Sequence, residues 1–331
     1  MVTVIFNAIV TVALGIGVAV GVFWLLNKLA ELLPDALEHR LKPFLYILPA
    51  YFAIIVYLIY PTVLTVIYSF KDRFSKNWVG FQNYTDLFQS PGFWSNTIFN
   101  TFLWMLVVPS LSVVFGLIIA TLADRLGPTG EKLTKTLIFL PMAISMVGAA
   151  TVWSYIYTYR AVESGQEQIG LLNSILVNIF HVEPVAWLST DTWHLNSFML
   201  MLIMLWAQVG FSMVLLSAAV KGVPTETLEA ARIDGATELQ IFFQVIVPQI
   251  KGTIITVLIT VTIGVMKVFD IVYATTGGQF RTNVIGNEFF TQFTTNFHSG
   301  KAAAIVVMLM VAVIPIMFYQ VRHFKAEEAN A

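Results

Sequence analysis

The chain has 331 residues, 57% of them hydrophobic and only 11% charged, with a formal net charge of −1 and a mean hydropathy of +0.79. That composition is too apolar for an ordinary soluble domain, so lipid must be the solvent for much of the chain. So small a net charge offers no basic surface for nucleic acid. The absence of cysteine removes disulfides, thiol catalysis and thiolate metal sites, and leaves the redox compartment undecided.

A membrane-spanning helix needs roughly 20 mostly apolar residues to cross about 30 Å of hydrocarbon. Seven segments meet that requirement: about Val2 to Leu26, Phe44 to Ser69, Ile98 to Ala123, Leu137 to Tyr157, Asn196 to Val220, Gly252 to Ala274 and Lys301 to Val321. The expected fold is therefore all-α, a polytopic transmembrane helical bundle of seven predicted spans. No Lys or Arg precedes Lys28, so the first segment lacks the positive start of a cleaved signal peptide and reads as a retained helix. Pro49 and Pro61 are expected to bend the second helix and Pro109 the third, because each removes a backbone hydrogen bond. The stretch from Lys71 to Asn96 holds Trp78, Phe81, Tyr84, Phe88, Phe93 and Trp94, which suits either a segment at the membrane surface or ordinary aromatic anchors.

Orientation follows from the positive charges, which accumulate on the cytoplasmic side. One set of alternate loops carries Lys28, Arg40, Lys42, Arg125, Lys132, Lys135, Lys221, Arg232, Lys251, Arg322 and Lys325; the other carries Lys71, Arg73, Lys76, Arg160, Arg281 and Lys301. The larger set is read as cytoplasmic. That puts the N-terminus outside, the C-terminal tail inside, and the loop from Lys221 to Lys251 in the cytoplasm.

This loop reads as two short helices hinged at a glycine. Pro224 and Thr225 start a helix, Asp234 and Gly235 stop it, and Thr237 with Gln240 forms a capping box that opens the next. Pro248 then redirects the chain. A small-faced helix, a sharp turn and the acidic Glu229 can form a knob that enters a groove on a soluble partner, or simply an interfacial loop joining two spans.

Glu229-Ala230-Ala231, Gly235 and Val245-Ile246-Val247-Pro248 resemble the EAA loop of ABC-importer permeases, with Val245 and Val247 as conservative departures. The resemblance implies that Glu229, Ala230, Ala231, Asp234, Gly235 and Pro248 form the element that couples to an ATPase. It extends from Phe44 to the C-terminus and is closest to carbohydrate-uptake permeases of the maltose and α-glucoside type. Phe44-Leu-Tyr-Ile-Leu-Pro49 with Tyr60-Pro61, Trp78 to Tyr84, Gly222-Val-Pro224 and Lys267-Val-Phe-Asp270 carry it. Gly277-Gly278-Gln279-Phe280 departs from the commoner run of glycines ending in proline and leans toward α-glucoside and related glucosyl-solute permeases. The chain then divides into residues 1–43, an extra N-terminal transmembrane helix with a cytoplasmic linker, and 44–331, an importer permease core with its coupling loop at 221–251.

Ionisable and polar groups within apolar spans are candidates for a solute path. Lys267 and Asp270 stand three residues apart on the sixth segment and are expected to share a face, as an internal ion pair or as sugar contacts. Gln208 and Ser212 beside Trp206 combine hydrogen-bonding groups with a flat ring. Asn100, Trp104, Tyr155 and Thr260 are further candidates, and helix packing is the competing role for each.

Gly127-Pro-Thr-Gly130-Glu-Lys132 superficially resembles a P-loop but has the wrong spacing. His181-Val-Glu183 and the scattered histidines show no metal-ligand spacing, and no serine lies in a nucleophile elbow. The resemblance implies that the chain is not itself an ATPase, binds no cofactor and pairs with a second homologous permease subunit. In that assembly two ATPase subunits hold ATP and Mg, and an extracytoplasmic solute-binding protein delivers a sugar across a bacterial or archaeal cell membrane. The rival readings are an ion-coupled secondary transporter using Lys267 and Asp270 and a non-transporting membrane scaffold.

Overall fold

The computed structural model describes residues 2–32 and 34–330. Among them no strand forms, and the β pairing is limited to an isolated antiparallel bridge between Lys71 and Trp78. Packing divides the chain into two units, residues 1–67 and 68–331. That boundary falls inside the second apolar segment, not at the expected division at residue 44.

The first unit holds α1 (Val2–Glu31), α2 (Asp35–Ile54) and most of α3 (Tyr60–Ser69). α1 is apolar on nearly all sides, as suits a helix bathed in lipid. It meets α2 through Phe23 stacked on Tyr46 at 6.0 Å, and the Tyr46 hydroxyl donates to Asn27 Oδ1 at 2.9 Å. Between α2 and α3 the chain makes a π-helical turn, Ile55–Ile59. The turn lies just ahead of Pro61, whose missing N–H removes one helical bond, and within it Tyr60 N–H bonds to Ile55 O.

The second unit contains α4 (Gln82–Gln89), α5 (Phe99–Ala123), α6 (Pro128–Phe139), α7 (Met146–Ile156), α8 (Leu171–Asn178) and α9 (Leu195–Lys221). It continues with α10 (Thr225–Ile233), α11 (Glu238–Ile241), α12 (Val247–Gln249) and α13 (Lys251–Val265). α14 (Asp270–Thr275), α15 (Ile285–Phe290) and α16 (Ser299–Asn330) complete it. Among the described residues five helices are long and apolar enough to cross a membrane, or seven if each of two bent pairs counts as one span.

The predicted segments all fall on helices, but the fourth and sixth are broken. The fourth bends by 101° between Pro128–Ala143 and Met146–Ile156. Pro141 ends the first arm in a short 3-10 turn, and Ser145 opens the second by accepting from Gly148 N–H at 3.1 Å. Just ahead of the sixth, Glu238–Gln249 and Lys251–Val265 meet at 71°. The helix there stops at Val265 rather than near Ala274, and residues 266–269 leave helical pairing before α14 begins.

α5, α9 and α13 form the centre of this unit. Trp104, Val108, Leu200, Met213, Val257 and Val261 are buried among them. α5 and α9 approach so closely at Gly116 that a Cβ there would sit 2.7 Å from Ser212 Cβ and 3.0 Å from Met213 N. Glycine is the residue that permits this, as small residues do wherever membrane helices touch backbone to backbone. Gly116→Ala is therefore expected to destabilise the protein by about 1–3 kcal/mol of overpacking. Gly15→Ala in α1, where a Cβ meets nothing within 4 Å, is expected to be neutral. Thermal unfolding of the two variants in detergent checks the contrast, and equal melting temperatures would refute it.

Candidate functional site

α9 ends at Lys221, and the chain turns through Gly222 and the buried Val223 into α10. Pro224 precedes the first residue of α10, where its missing N–H costs nothing. The helix ends in a Schellman motif: Ala236 N–H bonds to Ala231 O at 3.0 Å, Gly235 N–H bonds to Arg232 O at 3.1 Å, and Gly235 takes φ +82°. The capping box follows, with Thr237 N–H bonded to Gln240 Oε1 at 2.8 Å and Gln240 N–H to Thr237 Oγ1 at 3.4 Å. A π-helical turn, Phe242–Ile246, then precedes Pro248 just as another precedes Pro61.

Periodicity sorts the α10 side chains into two faces. Leu228, Ala231 and Ala236 pack on the buried core, while Glu226, Glu229, Ala230 and Ile233 are exposed. Ile233 is 86% exposed, a large aliphatic group at the very tip of the hook. Glu229 makes no ion pair among the described residues. Arg232 bonds the Glu238 carboxylate at 3.0 Å, and that hydrogen bond and charge raise its already high pKa. Glu238 also meets Arg125 of the α5–α6 turn at 3.5 Å. The arrangement is a stiff projection with an apolar tip and an acidic flank, suited to insertion into a cleft on another protein.

The candidate path residues are distributed differently from the sequence expectation. At about 100° per residue around α9, Trp206 lies about 160° from Gln208 and about 120° from Ser212, so its ring is not on their side; Gln208 and Ser212, four residues apart, share a side of the helix but meet different neighbours. Trp206 points toward α7, its ring edge-on to Trp153 at 5.8 Å beside an apolar cavity of about 400 Å³. Gln208 faces α13, its Nε2 lying 3.8 Å from where a Cβ on Gly264 would be, one turn beyond the exposed Thr260. Ser212 is fully buried against Gly116.

Lys267 and Asp270 likewise do not pair on one helical face. Lys267 lies in the break after α13 and Asp270 opens α14, both are exposed, and no ion pair joins them. Trp104 is fully buried in the core, and Tyr155 is 73% exposed on α7. Asn100, also fully buried, donates to the carbonyls of Arg281 and, at 3.1 Å, Asn283.

Two further asparagines match that role and were not among the sequence candidates. Asn196 at the start of α9 donates to Phe280 O at 2.7 Å, so α5 and α9 together hold the turn around Gly277–Asn283. Four of its residues, Gly277, Gly278, Phe280 and Arg281, have positive φ. Asn173 in α8 donates to Thr158 O and Val185 O and accepts from Val185 N–H and the Trp187 indole, all within 3.1 Å. A lone asparagine amid apolar residues was the signal, since a buried amide has to be satisfied.

Gly235→Ala is expected to cost about 1 kcal/mol in backbone strain alone, since a Cβ there meets nothing within 4 Å. Thr237→Ala is expected to cost about the same through loss of the cap. Amide hydrogen exchange over residues 225–241 reads both. Both variants should exchange faster than wild type and Gly235→Asn less so, while identical protection in all would refute the assignment.

Residues 88–325 match the family described as binding-protein-dependent transport system inner membrane component. The chain is 46% identical to the alpha-glucoside transport system permease protein AglF of Rhizobium meliloti, over 98% of each chain. It is 43% identical to the osmoprotective compounds uptake permease protein GgtC of Synechocystis, over 86% of this chain and 99% of the relative. In fold it is similar to a chain of a bacterial alginate ABC transporter solved in complex with an alginate pentasaccharide-bound periplasmic protein. That match has a TM-score of 0.70 and 20% identity, and covers 86% of this chain and 94% of the other.

Proposed function

The chain belongs to the family of binding-protein-dependent transport system inner membrane components, and from that membership we propose that it is the permease subunit of an ATP-driven importer for an α-glucoside or related glucosyl solute. The observation that carries the reading is the near-full-length likeness to a permease named for alpha-glucoside transport. The hook at α10 supports the same reading, because a permease without a nucleotide site of its own needs a rigid element through which a partner's work enters. The partners are a second homologous permease subunit, two ATPase subunits that hold ATP and Mg, and an external binding protein. The N-terminus lies outside and the C-terminus in the cytoplasm, the side on which the hook meets the ATPase.

Glu229, Ala230, Ala231, Asp234, Gly235 and Pro248 build the coupling element, with Ile233 added as its apolar anchor. The solute path takes in the accessible groups Tyr155, Trp206, Gln208, Thr260, Lys267 and Asp270. Asn100, Trp104 and Ser212 contribute to it only where the α5–α9 seam parts. An ion-coupled carrier built on a Lys267–Asp270 pair loses its structural basis, since the two groups are not paired.

The complex purified through a tag on this chain and reconstituted with its binding protein is expected to import radiolabelled α-glucosides or glucosylated polyols only when ATP is supplied. Uptake without ATP, or of charged solutes alone, would overturn the proposal. Ile233→Asp should weaken ATPase retention at least about tenfold, as for a central apolar anchor. Because the chain has no cysteine, Ile233→Cys gives a single labelling site. A membrane-impermeant maleimide should reach it from the cytoplasmic face, and labelling of intact cells from outside would defeat the assigned sidedness.

A further inference from the structure

The segment Gly127-Pro-Thr-Gly130-Glu-Lys132, whose glycine spacing does not make a P-loop, opens α6 and contributes to a compact ion cluster. Lys135 Nζ donates to Asp124 Oδ1 at 3.1 Å, to Glu131 Oε1 at 2.5 Å and to Ser217 Oγ. Ser217 in turn donates to Asp124 Oδ1 at 3.1 Å. Lys221 reaches Glu131 Oε1 at 2.5 Å and lies 3.8 Å from Asp124. Three helices thus meet in one charge-balanced cluster: the C-terminal cap of α5, the first two turns of α6 and the last two turns of α9. The Asp124, Glu131 and Lys135 side chains retain only 17%, 19% and 21% of their exposure, while Lys221 retains 52%.

The position of this cluster is what gives it a role beyond holding helices together. Lys221 is the last residue of α9, and Gly222 begins the path to the hook. At its other end α6 touches α9 again, where a Cβ on Gly210 would lie 2.5 Å from Ile138 O and 2.7 Å from Phe139 Cα. Gly210 and Lys221 are about 16 Å apart along the helix axis, so α6 is clasped to α9 at both ends and the two move as one body. Beyond Phe139 the chain enters the 101° bend into α7, which carries Trp153 against Trp206 at the cavity.

We propose that Asp124, Glu131, Lys135 and Lys221 are positioning residues that form a mechanical relay. By locking α6 to the end of α9, the cluster delivers displacement of the α10 hook to the bend at residues 144–145 instead of letting it dissipate in the last turn of α9. Arg125, next to Asp124, holds the second arm of the loop through Glu238, so the end of α5 grips both arms. The inference rests on the coupling role assigned to α10, and concerns how motion leaves that element.

The test is solute imported per ATP hydrolysed in the reconstituted complex. Lys221→Met removes the most exposed member and leaves the Lys135 cluster in place, so the chain should still fold. It is expected to lower the ratio about fivefold while the ATPase rate is kept, the size of loss suited to a partly exposed pair. Lys221→Arg should restore the ratio, and raising KCl from about 0.1 to about 0.5 M should lower the wild-type ratio but not that of Lys221→Met. An unchanged ratio in Lys221→Met, a Lys221→Arg as defective as Lys221→Met, or transport and ATPase activity falling in proportion would each overturn the relay. Ile233→Asp, run alongside, reports on the docking role alone. If the ATPase stays bound to Ile233→Asp, it is the coupling reading that fails; if Ile233→Asp is defective and Lys221→Met normal, only the relay does.

Discussion

A peptide group stranded in hydrocarbon costs several kcal/mol, and this chain leaves the α-helix repeatedly inside its apolar stretches. Each break therefore has to bring its own donors and acceptors. Ahead of Pro61 a π-helical turn keeps the preceding N–H paired, Tyr60 with Ile55 O. Ser145 caps the helix that follows the 101° bend. Beyond the apolar stretches the same need holds, and Asn100 and Asn196, on two different helices, take up the carbonyls of Phe280, Arg281 and Asn283. The breaks are consequently rigid elements, and rigidity is what an alternating-access machine needs around a fixed path.

The same constraint fixes the frame against which other parts move. α5 and α9 are joined without side chains between them at Gly116 and Ser212, and α9 and α6 at Gly210 and Ile138. Such contacts do not deform smoothly, since interiors packed to this density switch between discrete arrangements, joined or parted.

Hydropathy located all seven apolar segments because the bilayer imposes a length and a polarity that any local window can read. Capping chemistry was equally local, which is why Gly235, Thr237 and Gln240 were legible in the loop. Faces were not. Grouping Trp206, Gln208 and Ser212 required knowing which neighbours surround α9, and three different neighbours take them. Pairing Lys267 with Asp270 assumed an unbroken helix, yet the helix ends at Val265 with no proline or charge run to announce it. Asn173 and Asn196 serve as hubs only through residues brought near by the fold.

The hook assigns distinct roles to two adjacent alanines in the Glu229-Ala230-Ala231 run. Ala231 faces inward with Leu228, and its small side chain lets the α10 backbone lie close on the core. Ala230 faces outward with Glu229, between the acidic flank and Ile233 at the tip, and its size keeps that surface flat for a partner's approach. A larger residue at the first position would lift α10 off its seat, and at the second would hold the partner away. Under the coupling role proposed for the hook, force would pass through it only when both sides of the helix are in close contact, so a run of two small residues is the shortest sequence that satisfies both faces at once.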